Sequence, residues 1–393
     1  MDQRAKLMFA ASLLITAAGC DGERGATRTQ EVADPVRTLG VFMDSVFGLA
    51  ISPSDPGVVA FVGFGGRPIQ IRGYGLADVQ TGAENSSTTN VRIASVSKQF
   101  TAMAILALVG DDLLALDQSV GAILGEPYFD DITVEQLLTH RSGLPDNEAI
   151  WMESWDPNHV ATNADLVQWY VEQRPSLLFP PGTEWEYSQA GYNLLANIVE
   201  AVSGEPLEVF ARRRLFGKIG LESATFFSLA RATEIPNRAA TYTMEDGEYR
   251  VADGHFLNGL VGGDGVFMNA VDYLRWDKAV RAEILVPPEL HRRALSPRTE
   301  VNDRVNEQFA RAFSGLPLSP STYGYGWFLS ESPDGMLAWH QGGWYGVQAV
   351  VIRDVDGPLT IGMFGNTDEI PLSMMASLYT AAREFEASLE EPN

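Results

Sequence analysis

Hydrophobic periodicity divides this chain into strand-rich ends and a helical middle. A polar, aperiodic stretch, residues 21–33 ("DGERGATRTQEVA"), precedes Asp34–Pro35, which reads as an N-cap with proline at the first helical position. The helix it opens is expected to reach about Phe47, with Val36, Leu39, Met43 and Val46 on one side. "GVVAFVG" and "RPIQIRGYGLA" then read as two strands joined at Gly65–Gly66, a hairpin signal. From Ser95 to Val109 the pattern is helical and apolar nearly all round, which predicts a buried helix. Thr133 and Gln136 have capping-box spacing before "LLTH". Leu194, Leu195, Ile198, Val199 and Val202 recur at helical spacing and stop at Gly204, and Asn269 caps "AVDYLRWDKAV". Three strand-like runs follow, around "YGYGWFL", "GVQAVVIRD" and "LTIGMFGN", with "DVDG" turning between the last two. A final helix from Leu372 to Leu389 buries Met375, Leu378, Ala382 and Phe385.

The economical assembly is an α+β fold. The N- and C-terminal segments, 34–84 and 316–393, build one antiparallel sheet flanked by helices, and 85–315 forms a mostly helical inserted domain. A site is expected at the seam between the two, where clefts collect.

The first twenty residues depart from this pattern. Arg4 and Lys6 precede an apolar run from Leu7 to Ala18, and small residues lead to Cys20. That is the layout of a secretory signal over 1–19, with 20–33 as a tether. "TAAGC" resembles a bacterial lipobox, which implies lipidation at Cys20 and a membrane anchor facing the cell envelope or periplasm. Cys20 is the one cysteine of the sequence, so no internal disulfide can form. Elsewhere no run approaches the ~20 apolar residues that span a bilayer. A net charge of −23 opposes nucleic acid and anionic headgroups, so attachment to a membrane would depend on the lipid.

Composition also singles out one position. The chain has 24 arginines and only four lysines, Lys6, Lys98, Lys218 and Lys278. Lys98 stands three residues after Ser95 at a helix start, so both side chains share a face. A serine hydroxyl needs a neighbouring base to act as a nucleophile. Burial and the positive end of a helix can strip a lysine of its proton, whereas arginine stays charged. S-x-x-K alone is weak, because a buried lysine paired with a carboxylate would look the same.

More than the tetrad matches. "RIASVSKQFTA", "ITVEQLLTHRSGLP", "PPGTEWEYSQAGYNLLANIVE", "GGDGVFMNAVDYLRW" and "YGYGWFL…WHQGGWYG" resemble, in order, the blocks of the serine β-lactamase and penicillin-binding protein superfamily. The likeness is to its class C β-lactamase, DD-peptidase and esterase branch, with a β-lactamase/transpeptidase-like fold. It implies Ser95 as nucleophile and Lys98 as its partner. Tyr187 would relay a proton, provided neighbouring cations lower its pKa. The backbone N–H groups of Ser95 and Gly343 would form the oxyanion hole. His340–Gln341–Gly342 falls at the family's K-T-G or H-x-G element on an edge strand, where His340 would help hold a substrate carboxylate or the tyrosine oxygen and Gly342 would contact substrate. Gln189 replaces the family's usual asparagine in Y-x-N, which points to an altered substrate preference.

The resemblance thus implies a serine hydrolase acting through an acyl-enzyme on small esters, amides or β-lactam-like compounds, without a cofactor. Two alternatives remain open: a D-Ala-D-Ala carboxypeptidase or D-aminopeptidase acting on cell-wall peptides, and a non-catalytic envelope binding protein. His140 is expected to fix a loop near the site, and Asp264 to be a turn residue. His159, His255 and His291 lack metal-ligand spacing. Tryptophans 151, 155, 185 and 344 are candidates for an acyl pocket, with core packing the competing reading.

Overall fold

The sheet begins where the sequence places a hairpin. Strands β1 (Val58–Phe64) and β2 (Arg67–Tyr74) pair antiparallel across Gly65–Gly66, both at positive φ, as a tight two-residue turn requires. The remaining strands of this sheet are β3 (Thr299–Glu300), β4 (Thr322–Tyr323), β5 (Phe328–Ser332), β6 (Gly335–Trp344), β7 (Val347–Asp354) and β8 (Leu359–Gly365). Their spatial order is β3-β4-β5-β6-β7-β8-β1-β2, so the C-terminal hairpins close onto the N-terminal one. β1 meets β8 in antiparallel register, with Val58 opposite Gly365 and Phe64 opposite Leu359.

This computed structural model describes residues 34–231 and 233–390, and the expected signal segment, tether and Cys20 lie outside that range. From Pro35 onward the chain forms one compact unit. Helices α1 (Pro35–Ala50) and α5 (Met374–Glu390) cover one face of the sheet. Helices α2 (Lys98–Gly110), α3 (Gln189–Ser203) and α4 (Ala270–Arg281) belong to the core on the other face.

The period-2 geometry of a strand explains the apolar run "VVAFV". Val58, Ala60 and Val62 point toward Leu39, Met43, Phe47, Met375 and Leu378, while Val59 and Phe61 point toward the α2 side. β7 and β8 repeat the division: Val350, Ile352, Ile361 and Met363 face one core, and Ala349, Val351 and Phe364 face the other. A sheet buried on both faces needs near-continuous apolar runs, and Val58–Val62 and Ala349–Ile352 supply them.

Three local departures shape the site. The helix expected from Ser95 opens as a 3-10 turn, Ala94–Ser97, before α2 begins. β3, at 299–300, comes from the segment read as helical. The strand bearing His340–Gly342 is not an edge strand by order, because β6 runs between β5 and β7. β5 pairs only with residues 335–339, however, whereas β7 follows β6 from 337 to 344. Residues 340–344 therefore have a strand neighbour on one side only.

Candidate active site

The backbone is bent to present the nucleophile candidate. Ala94 has φ of +43°, a left-handed conformation that costs a residue with a Cβ about 1–2 kcal/mol. The bend ends the short strand Val91–Arg92 and starts the turn that leads into α2. Loop 262–266 clamps that turn. Val266 N–H donates to Ser97 Oγ (3.0 Å), Thr101 Oγ1 donates to Gly262 O (2.6 Å), and Lys98 Nζ donates to Gly263 O (2.9 Å). Ser95 remains half-buried beside a cleft, while Lys98 is 0% exposed.

Lys98 Nζ lies 3.1 Å from Ser95 Oγ and also donates to Gln189 Oε1. All three oxygens that the amine contacts are uncharged. Burial therefore dominates, pulling the lysine from 10.5 down to about 7 against the opposing fields of Glu148, Asp264 and Asp146. Asp264 is more than a turn residue: it forms a buried ion pair with Arg92 at 2.8 Å, which leaves it a weak counterion for Lys98. Gln189 presents its oxygen to Lys98 because Ser188 caps α3, accepting the N–H of Gly191, and Gln189 N–H donates to Asp146 Oδ2 at 2.7 Å.

Tyr187 lines the same cleft as Ser95, and the Lys98 amine lies 4.7 Å from its ring centroid. The resemblance required cations to lower this phenol's pKa. Instead burial raises it well above its ordinary value, with Tyr192, Glu148 and Asp146 adding to the rise. A phenol with its proton retained can donate to a leaving group, but it does not begin as a base. His140 braces the segment as expected: from a left-handed backbone (φ +58°) its Nδ1 accepts Ser188 N–H at 3.1 Å. Its ring lies 4.4 Å from that of Tyr187.

His340 does not hold the tyrosine oxygen expected of it. Its Nε2 lies 3.2 Å from Tyr323 Oη and its Nδ1 2.6 Å from Gln341 O. Burial, with Lys98 nearby, lowers its pKa to about 3, so a neutral ring offers a carboxylate no charge. Gly342 is also placed differently from a substrate-contacting residue. It packs on the nucleophile turn, where an added Cβ would fall 2.3 Å from Ile93 O and 3.1 Å from Ser95 N. Gly343, one residue on, is exposed.

Ser95, Tyr187 and Gly343 border a cavity of about 390 Å³ whose apolar wall is Val305, Phe309 and Phe328. Glu186 and Arg304 pair at its lining, 2.5 Å apart. Of the four tryptophans considered, Trp151 and Trp155 stack on each other and Trp185 is buried. Trp344 lines a narrow crevice together with Gln189 and Glu148. Asp146 and Glu148 carry no sequence signal beyond the place of "DNE" directly after "HRSGLP". Burial raises both carboxyls, Glu148 to about 8, so a charge-relay partner for Lys98 is weakened rather than supplied.

This arrangement can do acyl transfer: a hydroxyl beside an amine inclined to be neutral, a phenol beside both, and backbone N–H groups at an open strand end. Comparisons with known proteins agree with that geometry. Penicillin-binding protein 4* of Bacillus subtilis (strain 168) is 28% identical over 317 residues, covering 78% of this chain and 67% of its own length. Esterase EstB of Burkholderia gladioli is 30% identical over 294 residues, 64% of this chain and 72% of its own. The D-aminopeptidase of Brucella anthropi is 26% identical over 325 residues, 81% of this chain and 58% of its own. The chain thus spans about six- to seven-tenths of the length of these relatives. Among solved structures, a penicillin-binding protein from Bacillus halodurans superposes with a TM-score of 0.73 at 23% identity, covering 87% of this chain and 98% of that one. D-amino acid amidase from Ochrobactrum anthropi SV3 gives 0.71 at 19%, covering 90% and 100%. These two establish the fold. The Beta-lactamase family model matches residues 49–381, a span too long to rest on any single motif, and the chain belongs to that family.

Proposed function

We propose that this protein is a serine hydrolase that works through an acyl-enzyme on small esters or amides. One observation carries the reading: a fully buried lysine whose pKa burial brings to about 7 lies 3.1 Å from a serine hydroxyl at an open cleft. In the first step Ser95 Oγ bonds to the substrate carbonyl carbon and its proton passes to neutral Lys98. The carbonyl electrons move onto oxygen, where the N–H groups of Ser95 and Gly343 meet the charge. As the tetrahedral centre collapses, the leaving group departs with a proton from Tyr187, which Lys98 resupplies. Water then attacks the acyl-enzyme and returns Ser95.

A peptide substrate is the second reading. Its support is the unpaired side of β6 at 340–344, where an extended peptide could add as a strand. Relatives named D-aminopeptidase and penicillin-binding protein favour it too. We further propose envelope localisation through a lipid on Cys20, supported by the "TAAGC" signal.

The test is to offer short-chain p-nitrophenyl esters, a chromogenic cephalosporin and a D-Ala-D-Ala peptide to the wild type, Ser95→Ala and Lys98→Ala. At least one substrate should turn over, and both variants should lose about 10³-fold or more, since groups acting as a unit fail together. Activity surviving in Ser95→Ala would end the assignment. Release of D-alanine without ester turnover would select the peptidase reading, and no turnover together with no labelling by a fluorophosphonate would select a binding protein.

A further inference from the structure

Gly343 can serve as an oxyanion donor only if the end of its strand stays in place, and that end is a hairpin tip. β6 stops at Trp344 and β7 starts at Val347, so Tyr345 and Gly346 form a two-residue turn just past the donor. Sheet pairing restrains residues 340–344 from the β7 side alone. Strand ends held by so little are among the first parts of a fold to open.

The tip is held from outside the sheet. Trp344 donates its indole N–H to Asn258 Oδ1 at 2.8 Å. Asn258 lies on the 3-10 turn Phe256–Gly259 of the helical region and is 1% exposed, and its Nδ2 donates to Asp253 O at 2.8 Å. Tyr345 stacks on His255 with ring centroids 4.8 Å apart and 14° between planes, and His255 meets Trp344 edge-on at 5.4 Å. Gly346 N–H donates to Asp368 Oδ2 at 3.1 Å. Each of the three residues after the donor is therefore tied down, two of them by the turn at 255–258. An amide oxygen buried at Asn258 has a strong preference for keeping its donor, because leaving it unpaired costs its full desolvation.

We propose that the Asn258–Trp344 hydrogen bond positions the oxyanion hole, with the helical region holding the β6 tip so that the N–H groups of Gly343 and Ser95 face one point. The inference rests on the serine-hydrolase reading and deepens it. Neither residue touches the reacting atoms, so both are positioning residues. Their effect should fall on the transition state, because the carbonyl oxygen becomes charged only as Ser95 Oγ bonds to the carbon.

Two variants separate this role from plain stability. Trp344→Phe deletes the N–H and keeps an aromatic ring, and Asn258→Leu deletes the acceptor at similar volume. Each is assayed on a p-nitrophenyl ester and on the matching thionoester, whose sulfur is a longer and weaker hydrogen-bond acceptor. Each should lower kcat on the ester about tenfold with KM nearly unchanged, and cut the ester-to-thionoester rate ratio about tenfold. The double variant should be little worse than either single one. A wild-type ester-to-thionoester ratio in both variants, whatever their stability, would overturn this inference alone. A wild type that turns over neither compound would overturn the hydrolase reading and this inference with it.

Discussion

Lys98 sets its amine 3.1 Å from the Ser95 hydroxyl and against the face of Tyr187, 4.7 Å from the ring centroid. The lysine thus serves the serine directly, and the ring's negative face is ready to stabilise the ammonium that forms when the serine's proton arrives. In the proposed mechanism the tyrosine hydroxyl, which lines the same cleft as Ser95, manages the leaving group.

The pH profile follows from that division. Catalysis needs the neutral amine, and the folded lysine loses its proton near 7. kcat/KM should therefore rise as pH increases through about 7 and level off above it. Lys98→Arg should be inactive throughout, since guanidinium keeps its proton. A profile that falls across this interval would contradict the lysine's role.

The same burial costs stability. The unfolded lysine titrates at its ordinary 10.5 and the folded one at about 7, so between these values the unfolded chain holds the extra proton. Stability contributed by this group therefore rises with pH from 7 to 10.5, and the penalty is fully present below 7. Lys98→Met should be inactive yet more stable by about 1–4 kcal/mol at pH 7 in urea titrations, the range found when buried ionic groups give way to apolar residues of similar volume.

Tyr187→Phe should leave the fold and the packing around Lys98 in place while lowering kcat by roughly 10²–10⁴, the span of a positioned general acid. Because burial holds the phenol above its ordinary value, the wild type should show no alkaline loss of activity from Tyr187 below pH 10. Assays between pH 8 and 10 measure this directly.

Gly342→Ala should be damaging through space alone. A Cβ 2.3 Å from Ile93 O must displace the turn that bears Ser95. Overpacking of this kind costs about 1–3 kcal/mol, and kcat should fall further than stability because the serine itself moves. Thermal denaturation and ester kinetics on one preparation give both numbers.

His340 is neutral, so it should not discriminate by charge. In His340→Gln, a substrate with a free carboxylate and its methyl ester should slow by the same factor to within about twofold in kcat/KM. A loss confined to the carboxylate form would restore the charge-binding role that the resemblance implied.

Much of this protein is settled along the chain. The Asn269 cap, the Thr133–Gln136 capping box, the Gly65–Gly66 hairpin and the Gly204 stop depend on neighbours a few residues apart, and each stands where its pattern placed it. β6 was hard to see, because "MLAWHQGGW" alternates poorly and depends on β5 and β7 for its pairing. The pairing of Ser95 with Lys98, by contrast, is legible along the chain, since three residues on a helical turn fix it. The charge states were not. What makes Lys98 lean neutral, Tyr187 hold its proton and His340 stay uncharged is the exclusion of water by segments as distant as 140, 189, 263 and 340. A sequence specifies which groups can titrate, and only the packed interior decides how much a charge costs there.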